Sequence, residues 1–304
     1  MTDTVITAQR ISLRYWALLA LTAALFASTF FMNKIAVASL APLTVAAGRV
    51  ALAALVALAI LRLTGGRLPT PGRGWWPLLV IGLLTTAVPF TGIAWGQRYI
   101  DSGLAGIIYG TIPIFTVLFA HFLTADERFT ARRGVGVAVG LGGVVLIFGP
   151  AALAGVGDSL LGSGLTLMAA TSHALGAVFV RRCRHLSPIA LTSGQLVCGM
   201  LILAPLSLIF DAPWQLPTTT AAVTAVIGVA VIGTAVPLLI TFWLIQRIGA
   251  TNTSLLAFLM PVMAVGFGAM LLGEWLPWQA FAGLVLILIG AAAVGGSPSR
   301  AAQN

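Results

Sequence analysis

Thr86-Ala87-Val88-Pro89 sits inside an unbroken apolar run over residues 75–96, and the same four residues return 148 positions later as Thr234-Ala235-Val236-Pro237, inside a second apolar run over 219–244. A continuous run of this length reads as a helix crossing a bilayer, which takes about 20 mostly apolar residues. A β-barrel strand would alternate apolar and polar positions instead. The exact return of a proline-containing tetrapeptide points to an internal duplication.

Working outward, further matches appear in order through both halves. Trp95 returns as Trp243, Gln97-Arg98 as Gln246-Arg247, and Pro113 as Pro261. Leu40-Ala41-Pro42, followed by Gly48, returns as Leu186-Ser187-Pro188, followed by Gly194. Gly136 and Gly143 return as Gly283 and Gly290, and Glu127 as Glu274 with a one-residue gap. Ten apolar stretches are long enough to span: 15–37, 42–63, 75–96, 102–124, 132–150, 159–180, 188–209, 219–244, 250–273 and 277–296. The predicted fold class is an all-α polytopic membrane protein, with five-helix repeats over 1–150 and 151–304. Because five is odd, the second repeat begins on the opposite side of the membrane. The two repeats are then inverted about an axis in the membrane plane and enclose a central cavity, a recurrent architecture of secondary transporters.

Composition agrees. Of 304 residues, 59% are hydrophobic and 8% charged, whereas a soluble chain carries about 25% charged residues. A soluble enzyme and a disordered chain are excluded. Cys183 and Cys198 are too few for a disulfide framework or a thiolate metal site. Ala36-Val37-Ala38 offers a weak cleavage pattern, but the first run is long enough to span and has an internal counterpart. The net charge of +9 is explained by topology. With the N-terminus in the cytoplasm, thirteen arginines, Arg62, Arg67, Arg132 and Arg181 among them, fall on the cytoplasmic side. Only Lys34 and Arg98 fall outside, a strong positive-inside bias that places both termini in the cytoplasm. No nucleic-acid partner is called for; the partners expected are the lipid bilayer and a small-molecule substrate, and the oligomeric state is left open. Trp75, Trp76, Trp214, Trp275 and Trp278 sit near span ends, as interfacial anchors do.

The pattern Pro113, Glu127, Gly136, Gly143 and its echo Pro261, Glu274, Gly283, Gly290, set in ten spans, resembles the EamA-type drug/metabolite transporters. Arg49 in the second span matches an arginine often found there in that family. The resemblance covers nearly the whole chain. It implies ATP-independent export of amino acids or similar metabolites across a bacterial inner membrane, with aromatic-amino-acid exporters the nearest type. It also implies that spans 1, 3, 4, 6, 8 and 9 surround the cavity. On that basis the candidate cavity residues are Ser28, Trp95, Tyr109, His173, Thr241, Trp243 and Asn252, whose rings and hydroxyls offer stacking faces and hydrogen bonds. Helix packing is the competing role for each.

Pro89, Pro113, Pro237 and Pro261 lie within spans, where each removes a backbone donor and crowds the carbonyl one turn earlier. They read either as hinges lining the cavity or as static kinks. Arg49 is the clear intramembrane charge, a functional suspect that could instead snorkel. In the second half Gln195 takes its place. His173 is the better proton-carrier candidate over His121, unless it is a neutral, satisfied histidine. Glu127 and Glu274 read as capping or pairing residues. Gly106-x-x-x-Gly110 and Gly136-x-x-x-Gly140 fit close helix packing. With Lys34 the only lysine and no Walker A motif, this chain does not hydrolyse ATP; no metal, cofactor or enzyme motif is present. A passive channel and a lipid-modifying membrane enzyme are the rival readings.

Overall fold

The computed structural model describes residues 12–70, 72, 74–123, 130–153, 157–183, 186–215 and 218–295. These form ten helices, when pieces that run on through a π-helical turn or a short break are joined. They are α1 (Leu13–Val37), α2 (Pro42–Leu63), α3 (Trp75–Gly96), α4 (Ser102–Leu123) and α5 (Ala131–Leu153). The second five are α6 (Gly157–Phe179), α7 (Pro188–Asp211), α8 (Thr220–Ile245), α9 (Leu256–Leu272) and α10 (Trp278–Gly295). Seven of them, α1 to α5, α7 and α8, contain a stretch long and apolar enough to cross a membrane. α9 and α10 are shorter apolar helices. α6 has 23 residues but carries Ser163, Thr166, Thr171, Ser172 and His173 along its length.

Local chemistry sets the helix starts. Pro42 and Pro188 open α2 and α7, at the position where a missing N–H costs nothing. Ser187 caps α7 by accepting from the Ala190 N–H at 3.3 Å, and Thr219 caps α8 by accepting from Ala222 at 3.2 Å. α4 is capped from elsewhere in the chain. Glu274, just past α9, accepts from the backbone N–H of Ser102 at 2.7 Å and of Gly103 at 2.9 Å. It reaches them because Gly273 ends α9 in the left-handed conformation, with φ of 65°. The capping role expected of Glu274 is thus in place. Glu127 lies outside the described residues.

The helices pack mainly across the two halves. α1 lies against α8 and α9, and α6 against α3 and α4. α2 lies against α7 and α8, and α7 against α2 and α3. α4 pairs with α9, and α5 with α10. Replacing each helix by the one five places along the chain leaves this set of pairs unchanged. Small residues make the close contacts, as bilayers require, since lipid tails give helices no hydrophobic reason to associate. A Cβ on Gly136 would stand 2.8 Å from the Gly290 carbonyl oxygen, and one on Gly143 would stand 2.7 Å from that of Gly283. Both glycine pairs named by the duplication therefore meet in the α5–α10 contact. Gly106 and Gly110 meet Ala264 and Pro261 of α9, so this GxxxG pattern serves packing within the chain.

Polarity is turned inside out relative to a water-soluble fold. Thr22, Asn33, Arg49, Thr86, Gln97 and Thr166 are buried, while Leu55, Trp76, Val145, Met270 and Ile289 are exposed. An outward surface of this kind suits lipid.

Candidate functional site

The repeated Val-Pro pair builds the site. Proline has no N–H, so Pro89 cannot serve the carbonyl of Thr85 one helical turn earlier, and Pro237 cannot serve that of Gly233. Each helix answers with a π-helical turn immediately before its Val-Pro, over Leu83–Ala87 in α3 and Val231–Ala235 in α8. The Val88 N–H reaches back to the Leu83 carbonyl and that of Val236 to Val231, five residues instead of four. The carbonyls left over find partners on other helices. Thr29 of α1 donates its hydroxyl to the Gly233 carbonyl at 3.0 Å. Ser172 of α6 donates its hydroxyl to the Leu84 carbonyl at 2.9 Å.

These two turns face each other across a cavity of about 400 Å³ enclosed by α1, α2, α3, α4, α6, α7, α8 and α9. Its lining repeats at the same offset. Thr85 and Gly233, Thr86 and Thr234, Phe90 and Leu238, and Ile112 and Met260 are all wall residues 148 apart. The walls are mostly apolar, with Phe26, Phe30, Ile93 and Leu196 among them.

Some of the polar groups on the wall are engaged, while the Thr86 and Thr192 hydroxyls form no hydrogen bond with a described residue. The Tyr109 hydroxyl lies 2.9 Å from Nδ1 of His173. With its proton on Nε2, the neutral imidazole accepts from Tyr109 at Nδ1. The Thr85 hydroxyl donates to the Ile81 carbonyl of its own helix at 2.8 Å, with Oε1 of Gln195 3.4 Å away. Arg49 is 5% exposed; its Nε donates to Thr234 Oγ1 at 3.1 Å and its Cζ lies 3.7 Å from the centre of the Phe90 ring. The guanidinium therefore turns inward, onto the cavity wall, and does not snorkel. Arg49 and Gln195, counterparts in the duplication, each lie against a threonine of a π turn in the opposite half.

The wall runs from Arg49 and Ile93 to Val180 and Leu191, at the end of α6 and the start of α7. The other end of the bundle is knitted shut. Asn33 donates to the side chain of Gln97, and Gln97 donates to the Phe30 carbonyl at 2.9 Å. Lys34 Nζ donates to the carbonyls of Gln97 at 2.8 Å and Ile100 at 2.7 Å. Glu274 adds its cap on α4, and Asp211 accepts from the Thr44 N–H at 2.7 Å. Beside Glu274, burial pushes the Asp101 carboxyl above its ordinary pKa; repulsion from Glu274 adds to this, and Lys34 opposes it.

Of the residues named from sequence, Tyr109, His173 and Arg49 come together on this wall. Ser28 is buried behind it and donates to the Leu25 carbonyl at 2.7 Å. Thr241 donates to the Pro237 carbonyl of its own helix at 2.7 Å, and Asn252, in the helical turns that follow α8 up to Thr253, donates to the Ile248 carbonyl at 2.8 Å. Trp243 packs beside the Leu19, Leu244 and Leu256 cluster, 6.1 Å from the Tyr15 ring. Trp95 is 37% exposed on a separate, lateral cavity with Thr91 and Met168. Among the prolines, Pro89 and Pro237 restart α-helix after a π turn. Pro113 follows a break at Gly110–Thr111, whereas Pro261 sits inside an unbroken helix. Sequence reasoning missed Thr29, Phe30 and Phe90, and named Gln195 only as Arg49's counterpart, not as a wall residue. Thr29 was findable only through the carbonyl that Pro237 frees.

Comparison with known proteins adds the following. The model of the EamA-like transporter family matches residues 14–149 and 160–296. The uncharacterized inner membrane transporter YedA of Escherichia coli strain K12 is 29% identical over 290 residues, covering 91% of this chain and 92% of that protein. The uncharacterized transporter YoaV of Bacillus subtilis is 28% identical over 213 residues, covering 69% of this chain and 73% of that protein. A solved crystal structure, 20% identical, superposes with a TM-score of 0.63 over 93% of this chain and 96% of its own, a likeness of fold.

Proposed function

The chain belongs to the EamA-like transporter family, and we propose that it is a secondary carrier, without ATP, that exports small metabolites, amino acids foremost, across a bacterial inner membrane. The observation that carries this is the central cavity, walled by paired residues of the two halves and tied off at one end by hydrogen bonds. A cavity closed at one end suits a carrier that exposes its site to one side at a time, rather than an open channel.

The helix pairs that survive exchange of the halves, and the matched π turns, support two inverted five-helix repeats with ten crossings. The positive-inside bias supports cytoplasmic termini, with Lys34, Asp101 and Glu274 on the outer face. On that orientation Val180 and Leu191 mark the cytoplasmic end of the cavity, which supports reading the conformation as inward-facing. Saturable uptake and counterflow of labelled amino acids in liposomes holding the purified protein test the proposal. Flux that rises linearly with concentration, without counterflow, contradicts it.

A further inference from the structure

We propose that the recognised group of the substrate is a single carboxylate, held by Arg49, on a molecule whose remainder is apolar or aromatic; the substrate's ammonium, where it has one, goes unrecognised. This rests on the reading of the cavity as a transport site.

Arg49 is buried, yet no carboxylate stands on the cavity wall among the described residues. The Thr234 hydroxyl satisfies Nε, and the Phe90 ring covers one face of the guanidinium. The two terminal nitrogens make no hydrogen bond to any described residue, so the forked end that fits a carboxylate in bidentate fashion is free. A buried cation without a counter-charge is costly, and a bound anion removes that cost.

The rest of the wall narrows the class. One positive charge balances a monoanion; a phosphate dianion would bring a second charge into walls of Phe26, Phe30, Ile93 and Leu196. An ammonium finds no acid there. Of the carbonyls that Pro89 and Pro237 leave over, that of Gly233 already accepts from Thr29, and what the wall otherwise offers an ammonium is neutral, the Thr86 and Thr192 hydroxyls among it. A cavity of about 400 Å³ is at the small-ligand end of known sites, about 300–1,000 Å³.

Calorimetric binding to the protein in lipid nanodiscs tests this with four probes: 3-phenylpropionate, phenylalanine, phenethylamine and phenyl phosphate. The expected result is that 3-phenylpropionate binds at least as tightly as phenylalanine, with phenethylamine and phenyl phosphate weaker by about tenfold or more. Arg49→Gln, the side chain already present at the counterpart position 195, should weaken 3-phenylpropionate by about tenfold or more, as expected when a charged partner leaves a buried site. Arg49→Lys should retain part of the affinity, which separates lost charge from lost folding. Phenethylamine or phenyl phosphate binding as well as 3-phenylpropionate, Arg49→Gln leaving affinity unchanged, or no binding of any probe each overturns the inference. Binding as expected without transport in liposomes would overturn the carrier reading and leave this one standing. Transport of amines unaffected by Arg49→Gln would do the reverse.

Discussion

At the scale of single residues, the cavity depends on pairs that cannot lose one member cheaply. Tyr109→Phe deletes the hydroxyl opposite His173 Nδ1 and leaves that nitrogen without its partner, a loss of about 1–3 kcal/mol for a buried polar group. The expected outcome is a lower melting temperature and slower transport, with insertion and purification normal; Tyr109→Ala should impair transport further. Unchanged transport in both variants over a range of substrate concentrations would make Tyr109 a packing residue. At the closed end the sign runs the other way. The folded-state pKa of Asp101 is raised, so its charged form opposes the closed arrangement at neutral pH. Stability should rise as pH falls from neutral through that raised value, and the gain should be absent from Asp101→Asn, which should also melt higher at pH 7. Thermal unfolding of both proteins between pH 4 and pH 8, followed by tryptophan fluorescence, would show it; parallel pH profiles would contradict it. Arg49 and Tyr109 stood out in the sequence because a charge and a ring hydroxyl are rare inside apolar spans. Phe26, Phe30 and Phe90 did not, because these spans are apolar all round and periodicity cannot say which face turns inward.

At the scale of the helix, the halves share chemistry but not conformation. Both Val-Pro pairs sit directly after a π turn, which the sequence foretold only as a kink; where the orphaned carbonyl goes is decided by another helix. Pro89→Ala gives Thr85 its missing donor and should convert the turn toward regular α-helix. We expect changed cysteine accessibility in the cavity and slower turnover, and unaltered accessibility would make the turn a static feature. The other proline pair differs between halves. α4 breaks at Gly110–Thr111 before Pro113, while α9 continues through Pro261. A helix broken in one half and continuous in the other is an asymmetry that two exchangeable states would show. Even about 1.4 kcal/mol shifts such a balance roughly tenfold, so Pro113→Ala and Pro261→Ala should bias the protein toward opposite faces. Gly110→Ala should disfavour the present state, since its Cβ would lie 2.7 Å from Pro261 Cγ. Equal accessibility from both sides in all three variants and the parent would remove the hinge role.

At the scale of the whole molecule, the architecture was legible wherever it followed from length, hydropathy and the internal match. The glycine contacts of α5 with α10 and the capping by Glu274 trace to residues singled out in the sequence, whereas the helical segment before α9 runs to Thr253, where a span starting at 250 was expected. The interlocking of the halves was not legible, because pairing between spans depends on helix faces that composition does not mark. Nor was the closure of one end, which uses Asn33 and Gln97, ordinary polar residues until folding brings them together. Orientation is tested by cysteines at Asp158 and Arg67: the first should react with an impermeant thiol reagent added to intact cells, and the second should not. The central claim is that one cavity serves both faces in turn. A cysteine at Ala177, on the cavity wall, introduced with Cys183 and Cys198 replaced by serine and labelled from each side of oriented vesicles, tests it most directly. The account predicts labelling from the cytoplasmic side at rest and the appearance of labelling from the outer side during substrate counterflow. Labelling confined to one side under both conditions would contradict it.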